Sequence, residues 1–367
     1  MRILYDSKIF YLQKVGGISK YFTQIHLVIK NYYKLKIIAP IYLNDYLDTV
    51  NDKNIIKFIK LDRQYKYTRS ISFFLNNLFF RIYFKFFRPD IIHLTYYDKK
   101  LNFNKKKCKI VITVYDLVHE IFEKDYDFKY PKKFKKNYID QADHIICISE
   151  NTKKDLLKFY EVSPDKISVI KLGFNTSKEY QEIKDDYLTK PYLLFVGDRK
   201  NYKNFKNLIA SYSLSEKLKK DFNIVCFGGG GLVEHERILL QNLNINLSKI
   251  KCLSGSDLEL NFIYKKAKAY ICPSFYEGFG LTILEAMNMN CPIISSNRGS
   301  LPEVGGDAIE YFDPYNIDEI KEKIEKIVYS EINILNQKKK FQKNLQKFSW
   351  DATARETMLI YEKLQNK

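Results

Sequence analysis

Short apolar runs separated by helical patterns recur along the whole of this 367-residue chain, at residues 3–5, 34–40, 90–94, 109–114, 144–148 and 169–173. They recur again at 192–197, 224–227, 250–253, 269–272 and 292–295. Runs this apolar, without alternation of wet and dry positions, suit strands buried on both faces. Strands that alternate with helices must be joined by crossovers, so each series predicts an α/β domain built on a doubly wound parallel sheet. The length accommodates two such domains, each with its own core. The expected boundaries are 1–175 and 176–345. A last helical segment, 346–367, has apolar spacing at Ala354, Met358, Tyr361 and Leu364.

Open parallel sheets bind ligands beyond the carboxyl ends of their strands, so the residues that follow each run carry the functional reading. In Phe275-Tyr-Glu277-Gly-Phe279-Gly280-Leu281-Thr-Ile-Leu-Glu285-Ala-Met287, two carboxylates flank a glycine-rich loop and a helical run. The helix should begin near Leu281, placing Glu285 in its first turns and Glu277 just before the loop. Free backbone N–H groups at a helix start, approached closely at Gly280, make an anion site. Phosphate-facing N–H groups between two acceptors of sugar hydroxyls suit a nucleotide-sugar. After the run 192–197 come Arg199 and Lys203. A fork and a mobile point charge there can stabilise a departing nucleoside diphosphate without a metal. Gly16-Gly17 lies between the first strand and a helical pattern that Ser19 is placed to cap. Tyr115-Asp116, with His119 three residues on, follows the run 109–114.

Composition narrows the class. The six cysteines include no CxxC pair and the five histidines are scattered, which predicts reduced thiols and no metal site. A charge falls at Arg2 and no run of 18 apolar residues exists, so neither a signal peptide nor a bilayer span is expected, and the expected location is cytoplasmic. Of the net charge of +18, residues 1–170 carry +14. Such a field favours an anionic partner: nucleic acid, a membrane surface or a phosphate-bearing acceptor. No helix-turn-helix, RNP or zinc motif supports the first. Residues 65–88 are aromatic and basic, with Asn77, Arg81, Lys85 and Arg88 on one polar stripe. Phe73, Phe74, Leu78, Phe80, Ile82, Phe84 and Phe87 fill most of the rest, which predicts a core helix with one wet edge, or else an interfacial helix on a membrane.

The Glu-x7-Glu written EGFGLTILE, with Pro273-Ser274 before it and residues 292–295 after it, resembles the donor-site signature of the GT4-type retaining glycosyltransferases. The likeness extends over nearly the whole chain, through Ser149-Glu150, Gly173, Ala267-Lys-Ala269 and Arg298-Gly-Ser-Leu-Pro-Glu303. It implies the GT-B fold, two Rossmann-like domains facing across a cleft, with the last helix crossing back to the first. It implies transfer of mannose or a related hexose, without metal or other cofactor, to a saccharide or lipid-linked acceptor of surface polysaccharide or lipopolysaccharide. Glu285 would then hold the ribose hydroxyls and Glu277 the sugar. Phe279, Gly280 and Leu281 would offer N–H groups, Arg199 and Lys203 would hold the diphosphate, and Gly16 and Gly17 would face the donor. Many relatives have His-Asp where this chain has Tyr115-Asp116, which leaves His119 as the nearest substitute and no clear catalytic base. The rival readings are a nucleotide-sugar epimerase on the same fold and a basic nucleic-acid-binding protein.

Overall fold

In a computed structural model of the chain, the apolar runs pair side by side into two parallel sheets. The structure describes residues 1–63, 68–97, 108–123, 132–199 and 201–366. These fall into two units: Met1–Gly173 together with Phe348–Lys367, and Phe174–Lys347.

The first unit contains β1 (Arg2–Tyr5), β2 (Lys34–Ile38), β3 (Ile41–Tyr42), β4 (Ile55–Ile56), β5 (Ile59–Lys60), β6 (Ile91–Leu94), β7 (Lys109–Val114), β8 (His144–Cys147) and β9 (Ile167–Val169). Its main sheet, among the described residues, runs β4-β2-β1-β6-β7-β8-β9, and β3 pairs with β5 separately. Ile3 is opposite Leu35 on one side and Ile91 on the other, and all three are buried. The chain therefore winds outward in both directions from β1, and the order reverses between β1 and β6.

Three local expectations need correction. The final strand of this unit is Ile167–Val169 rather than 169–173; the short turn Pro164–Lys166 starts it two residues earlier. The helix after the double glycine begins at Gly17 with Gly16 as its cap. Ser19 lies within it and turns its hydroxyl back to the Gly16 carbonyl. The aromatic segment is a helix, Thr68–Phe87, whose inward face is partly polar: Asn76 pairs through both ends of its amide with the Ile41 backbone at 2.9 Å. Phe74, Leu78 and Ile82, expected in the core, are exposed. Residues 65–67 of that segment lie outside the described residues.

The terminal helix Trp350–Gln365 completes the first unit. Its spaced residues Ala354, Met358, Tyr361 and Leu364 are all buried. Tyr361 Oη lies 3.0 Å from Tyr5 Oη and 2.6 Å from His93 Nδ1, and His93 Nε2 lies 2.8 Å from Thr113 Oγ1. Thr353 donates to the Lys171 carbonyl. Gly173 sits so close to the Trp350 backbone that a Cβ would collide with it.

The second unit contains β10 (Tyr192–Val196), β11 (Asn223–Phe227), β12 (Ile250–Leu253), β13 (Ala269–Cys272), β14 (Ile293–Ser296) and β15 (Glu310–Phe312). The sheet order is β12-β11-β10-β13-β14-β15. Leu193, Phe195, Ile224, Ile271 and Ile294 from its strands pack with Leu208, Ile209, Ile320 and Ile324 from helices into one buried cluster. Here the order reverses between β10 and β13, where an open α/β sheet leaves room for a ligand.

Candidate active site

The loops that follow β10 and β13 are laced together. Asn204, buried and in the left-handed conformation at φ 58°, donates its side-chain amide to the carbonyls of Pro273 and Pro314 at 2.9 and 3.0 Å. The Phe275 N–H donates to the Tyr202 carbonyl at 2.8 Å. This stitching sets Lys203 Nζ 2.7 Å from Glu277 Oε1, and the same oxygen accepts from Ser274 Oγ at 2.7 Å. Burial alone would lower the Lys203 pKa, but the Glu277 charge outweighs it and the ammonium is held firmly protonated.

The backbone of Glu277 is fixed from a third strand end. Ser300 Oγ lies 2.8 Å from the Glu277 carbonyl and 2.7 Å from that of Phe279. Gly299, at φ 61°, approaches so closely that a Cβ there would stand 2.8 Å from the Glu277 carbonyl oxygen. Phe279 is buried and anchors the loop. Gly280, at φ 107°, then caps the helix Leu281–Asn288. The first N–H groups of that helix have no carbonyl one turn below them and carry its partial positive charge. Glu285, half-buried on the same helix, accepts from Tyr264 Oη at 3.3 Å.

Arg199 is placed differently from Lys203. Its Nε donates to Glu236 at 2.8 Å, and its terminal nitrogens donate to the carbonyls of Gly228, Gly230 and Gly231 at 3.2, 3.0 and 2.7 Å. Three glycines of that run have positive φ, a backbone path that turns successive carbonyls toward one guanidinium. Lys203 and Glu277 are thus brought together, whereas Arg199 is directed to the glycine turn beyond β11.

In the first unit, Asp116 follows β7 and accepts from the Val118 N–H at 3.2 Å. The Asp116 carbonyl and the Glu120 carboxylate both accept from the buried Lys135 ammonium, at 3.0 and 2.8 Å, and Tyr160 donates to the other Glu120 oxygen. His119 is half-buried beside this group; burial, aided by Lys135, lowers its pKa, so the imidazole is neutral near pH 7. Gly16 and Gly17 stand at the start of their helix. At the β1–β6 reversal, Asp6 accepts from both the N–H and the hydroxyl of Thr95, and burial raises its pKa to about 6. Asp6 was legible by the rule applied to Asp116, since it directly follows a strand. Lys135 was not, because nothing distinguishes it from the other lysines around it. Among the described residues no three His, Cys, Asp or Glu side chains are grouped to hold a metal ion.

Two family models cover nearly all of this architecture. Residues 15–178 match Glycosyltransferase Family 4, and residues 176–348 match Glycosyl transferases group 1. The chain belongs to the GT4-type group 1 glycosyltransferases. The O-antigen chain mannosyltransferase B of Escherichia coli is 29% identical over 202 residues, 52% of this chain and 53% of that protein. The serotype-specific mannosyltransferase WbdA of the same organism is 28% identical over 228 residues, 59% of this chain and 28% of WbdA. The chain therefore spans about half or less of the length of these relatives. Among solved structures, sucrose-phosphate synthase from Thermosynechococcus elongatus superimposes with a TM-score of 0.74 at 17% identity, covering 99% of this chain and 98% of that one. Anabaena HepE in complex with UDP and glucose gives 0.72 at 12% identity, covering 98% and 99%. The fold of this glycosyltransferase-family chain is accordingly GT-B, two Rossmann-like units.

Proposed function

We propose that this chain is a metal-independent, retaining glycosyltransferase. It moves a hexose, with mannose from GDP-mannose as the first candidate, onto a saccharide or lipid-linked acceptor of surface polysaccharide or lipopolysaccharide. It works in the cytoplasm or against the inner face of the cytoplasmic membrane, with no nucleic-acid partner. The observation that carries this reading is the Lys203–Glu277–Ser274 contact beside a glycine-capped helix start, at the reversal point of the second sheet. The names of the Escherichia coli relatives support the choice of mannose.

In this reading Phe174–Lys347 is the donor unit. Lys203 and the N–H groups of Phe279, Gly280 and Leu281 hold the diphosphate and stabilise the charge that develops as the bond to the sugar breaks. One Glu277 oxygen is engaged by Lys203 and Ser274, and the other takes a sugar hydroxyl. Glu285 takes the ribose hydroxyls, and Arg199 shapes the glycine turn that meets the base. In the first unit Gly16 and Gly17 serve the donor phosphates, while Asp116 and neutral His119 orient hydroxyl groups. The acceptor oxygen bonds to the anomeric carbon on the face the diphosphate leaves, and its proton passes to the departing phosphate, so no enzymic base is required.

The test is release of nucleoside diphosphate from GDP-mannose, UDP-glucose, UDP-galactose, ADP-glucose and dTDP-glucose in the presence of saccharide acceptors, with and without a chelator. GDP-mannose should turn over fastest, the chelator should change nothing, and the product should keep the anomeric configuration of the donor. Silence with every donor would overturn the assignment. Conversion of the sugar without an acceptor would identify an epimerase instead.

A further inference from the structure

The helix Thr68–Phe87 faces outward with the wrong chemistry for a water-exposed surface. Ile71, Phe74, Leu78, Ile82 and Phe86 are 61%, 65%, 41%, 42% and 78% exposed. At 3.6 residues per turn these five fall within roughly 120° of the helix circumference. The opposite face is anchored to the unit by Phe80, Ser72 and the Asn76 clamp on Ile41, so the apolar stripe is not a core face that happens to have been left out. Phe58, itself exposed, packs edge-on against Phe79 of the same helix at 5.6 Å and extends the stripe sideways. Isolated surface leucines are ordinary, but a contiguous stripe of this length marks a contact surface.

The charges beside the stripe indicate what it contacts. The helix contains Arg69, Arg81 and Lys85 and no acidic residue. All three basic residues are exposed, as is Arg88 just beyond the helix end; by helical spacing Arg81 lies just outside, and Lys85 just inside, the edge of the apolar face that Phe74 marks. A second copy of this chain would bring the same cations against themselves. A surface that is apolar within and anionic at its margin satisfies both features, and an anionic lipid leaflet has that profile. The helix is 20 residues long, and among the described residues no helix is long and apolar enough to cross a membrane, so the fitting geometry is one lying in the interface.

We infer that the Ile71-Phe74-Leu78-Ile82-Phe86 face of this helix, with Arg81 and Lys85 at its edge, seats the protein on an anionic lipid surface. The inference deepens the reading of a lipid-linked acceptor given above, but its test needs neither donor nor acceptor. Wild-type protein should co-float with vesicles of phosphatidylcholine and phosphatidylglycerol and not with phosphatidylcholine alone, and added salt should release it. Phe74→Glu with Phe86→Glu should lower partitioning at least about tenfold while leaving the thermal midpoint and nucleoside diphosphate release with a water-soluble acceptor unchanged. Arg81→Gln with Lys85→Gln should abolish the preference for the anionic vesicles. Failure of the wild type to bind vesicles, or equal binding by the Phe74/Phe86 variant, would overturn the inference. So would a lipid-free dimer, seen by light scattering, that the same Phe variant dissociates, since the stripe would then be covered by a second copy. Because vesicle binding is read without turnover, an enzyme silent with every sugar donor would leave this result standing.

Discussion

One oxygen of Glu277 accepts from both Lys203 and Ser274, and this shared acceptor couples the carboxylate proposed to hold the sugar to the ammonium proposed to hold the diphosphate. Glu277→Gln keeps the size and one acceptor but removes the charge that holds Lys203 protonated. We expect turnover to fall about hundredfold, with the thermal midpoint changed far less, because the glutamine oxygen can still accept from Lys203 and Ser274. Lys203→Ala should act mainly on the donor KM, raising it roughly tenfold or more through loss of a charge-assisted contact to phosphate. Steady-state kinetics with the donor varied separates the two outcomes, and wild-type constants in either variant would remove that residue from the site. Both residues were legible because each closely follows a strand end in the sequence. Arg199 was equally legible as a cation near a strand end, but its partners are carbonyls, which every residue has. Only the positive φ angles of Gly228, Gly229 and Gly230 turn those carbonyls toward it, and the order of side chains does not reveal that.

At the scale of elements, the terminal helix is held to the first sheet by a fully buried histidine. His93 bridges Tyr361 and Thr113, and burial lowers its pKa to about 3 from an ordinary 6.5. The unfolded chain therefore takes up a proton first as the pH falls. The stability that His93 contributes is complete above about pH 6.5 and is lost progressively from there toward pH 3. Asp6, raised to about 6, acts in the opposite sense: its contribution is complete below pH 3.8 and is lost as the pH rises through 6. Comparing wild type with His93→Phe isolates the histidine. Scanning calorimetry at pH 7 and pH 4 should show a smaller drop in midpoint for the variant, although it starts lower; parallel drops would assign the acid sensitivity elsewhere. Most strands of the two large sheets were readable as buried apolar runs. The two-residue strands Ile41–Tyr42, Ile55–Ile56 and Ile59–Lys60, and the three-residue Glu310–Phe312, are too short for any pattern to emerge. The orientation of the helix Thr68–Phe87 was unreadable for another reason. It carries apolar side chains nearly all round, so which face is buried was decided by Asn76 finding the Ile41 backbone, a contact 35 residues away in sequence.

The molecule as a whole is built from one continuous and one discontinuous unit, since Phe174–Lys347 is a single stretch while the first unit needs both Met1–Gly173 and Phe348–Lys367. This asymmetry should decide which half survives excision. The continuous unit has its own buried cluster and a complete six-stranded sheet among its described residues, so residues 174–347 alone should melt cooperatively. If the donor reading is right, nucleoside diphosphate should raise that midpoint, by about 2.7 kcal/mol of stability at a hundredfold excess over its Kd. Residues 1–173 alone would lack Trp350, Ala354, Met358, Tyr361 and Leu364, all buried. At about 2 kcal/mol for each large side chain, their loss is comparable to the entire net stability of about 5–15 kcal/mol expected of a domain. It would also leave the His93 and Tyr5 hydrogen-bonding groups without Tyr361. This fragment should be insoluble or melt without cooperativity, and joining 348–367 to it through a flexible linker should restore a sharp transition. Circular dichroism melts of the three fragments check the argument, and a cooperative transition in 1–173 alone would show that the terminal helix is dispensable to the fold it completes.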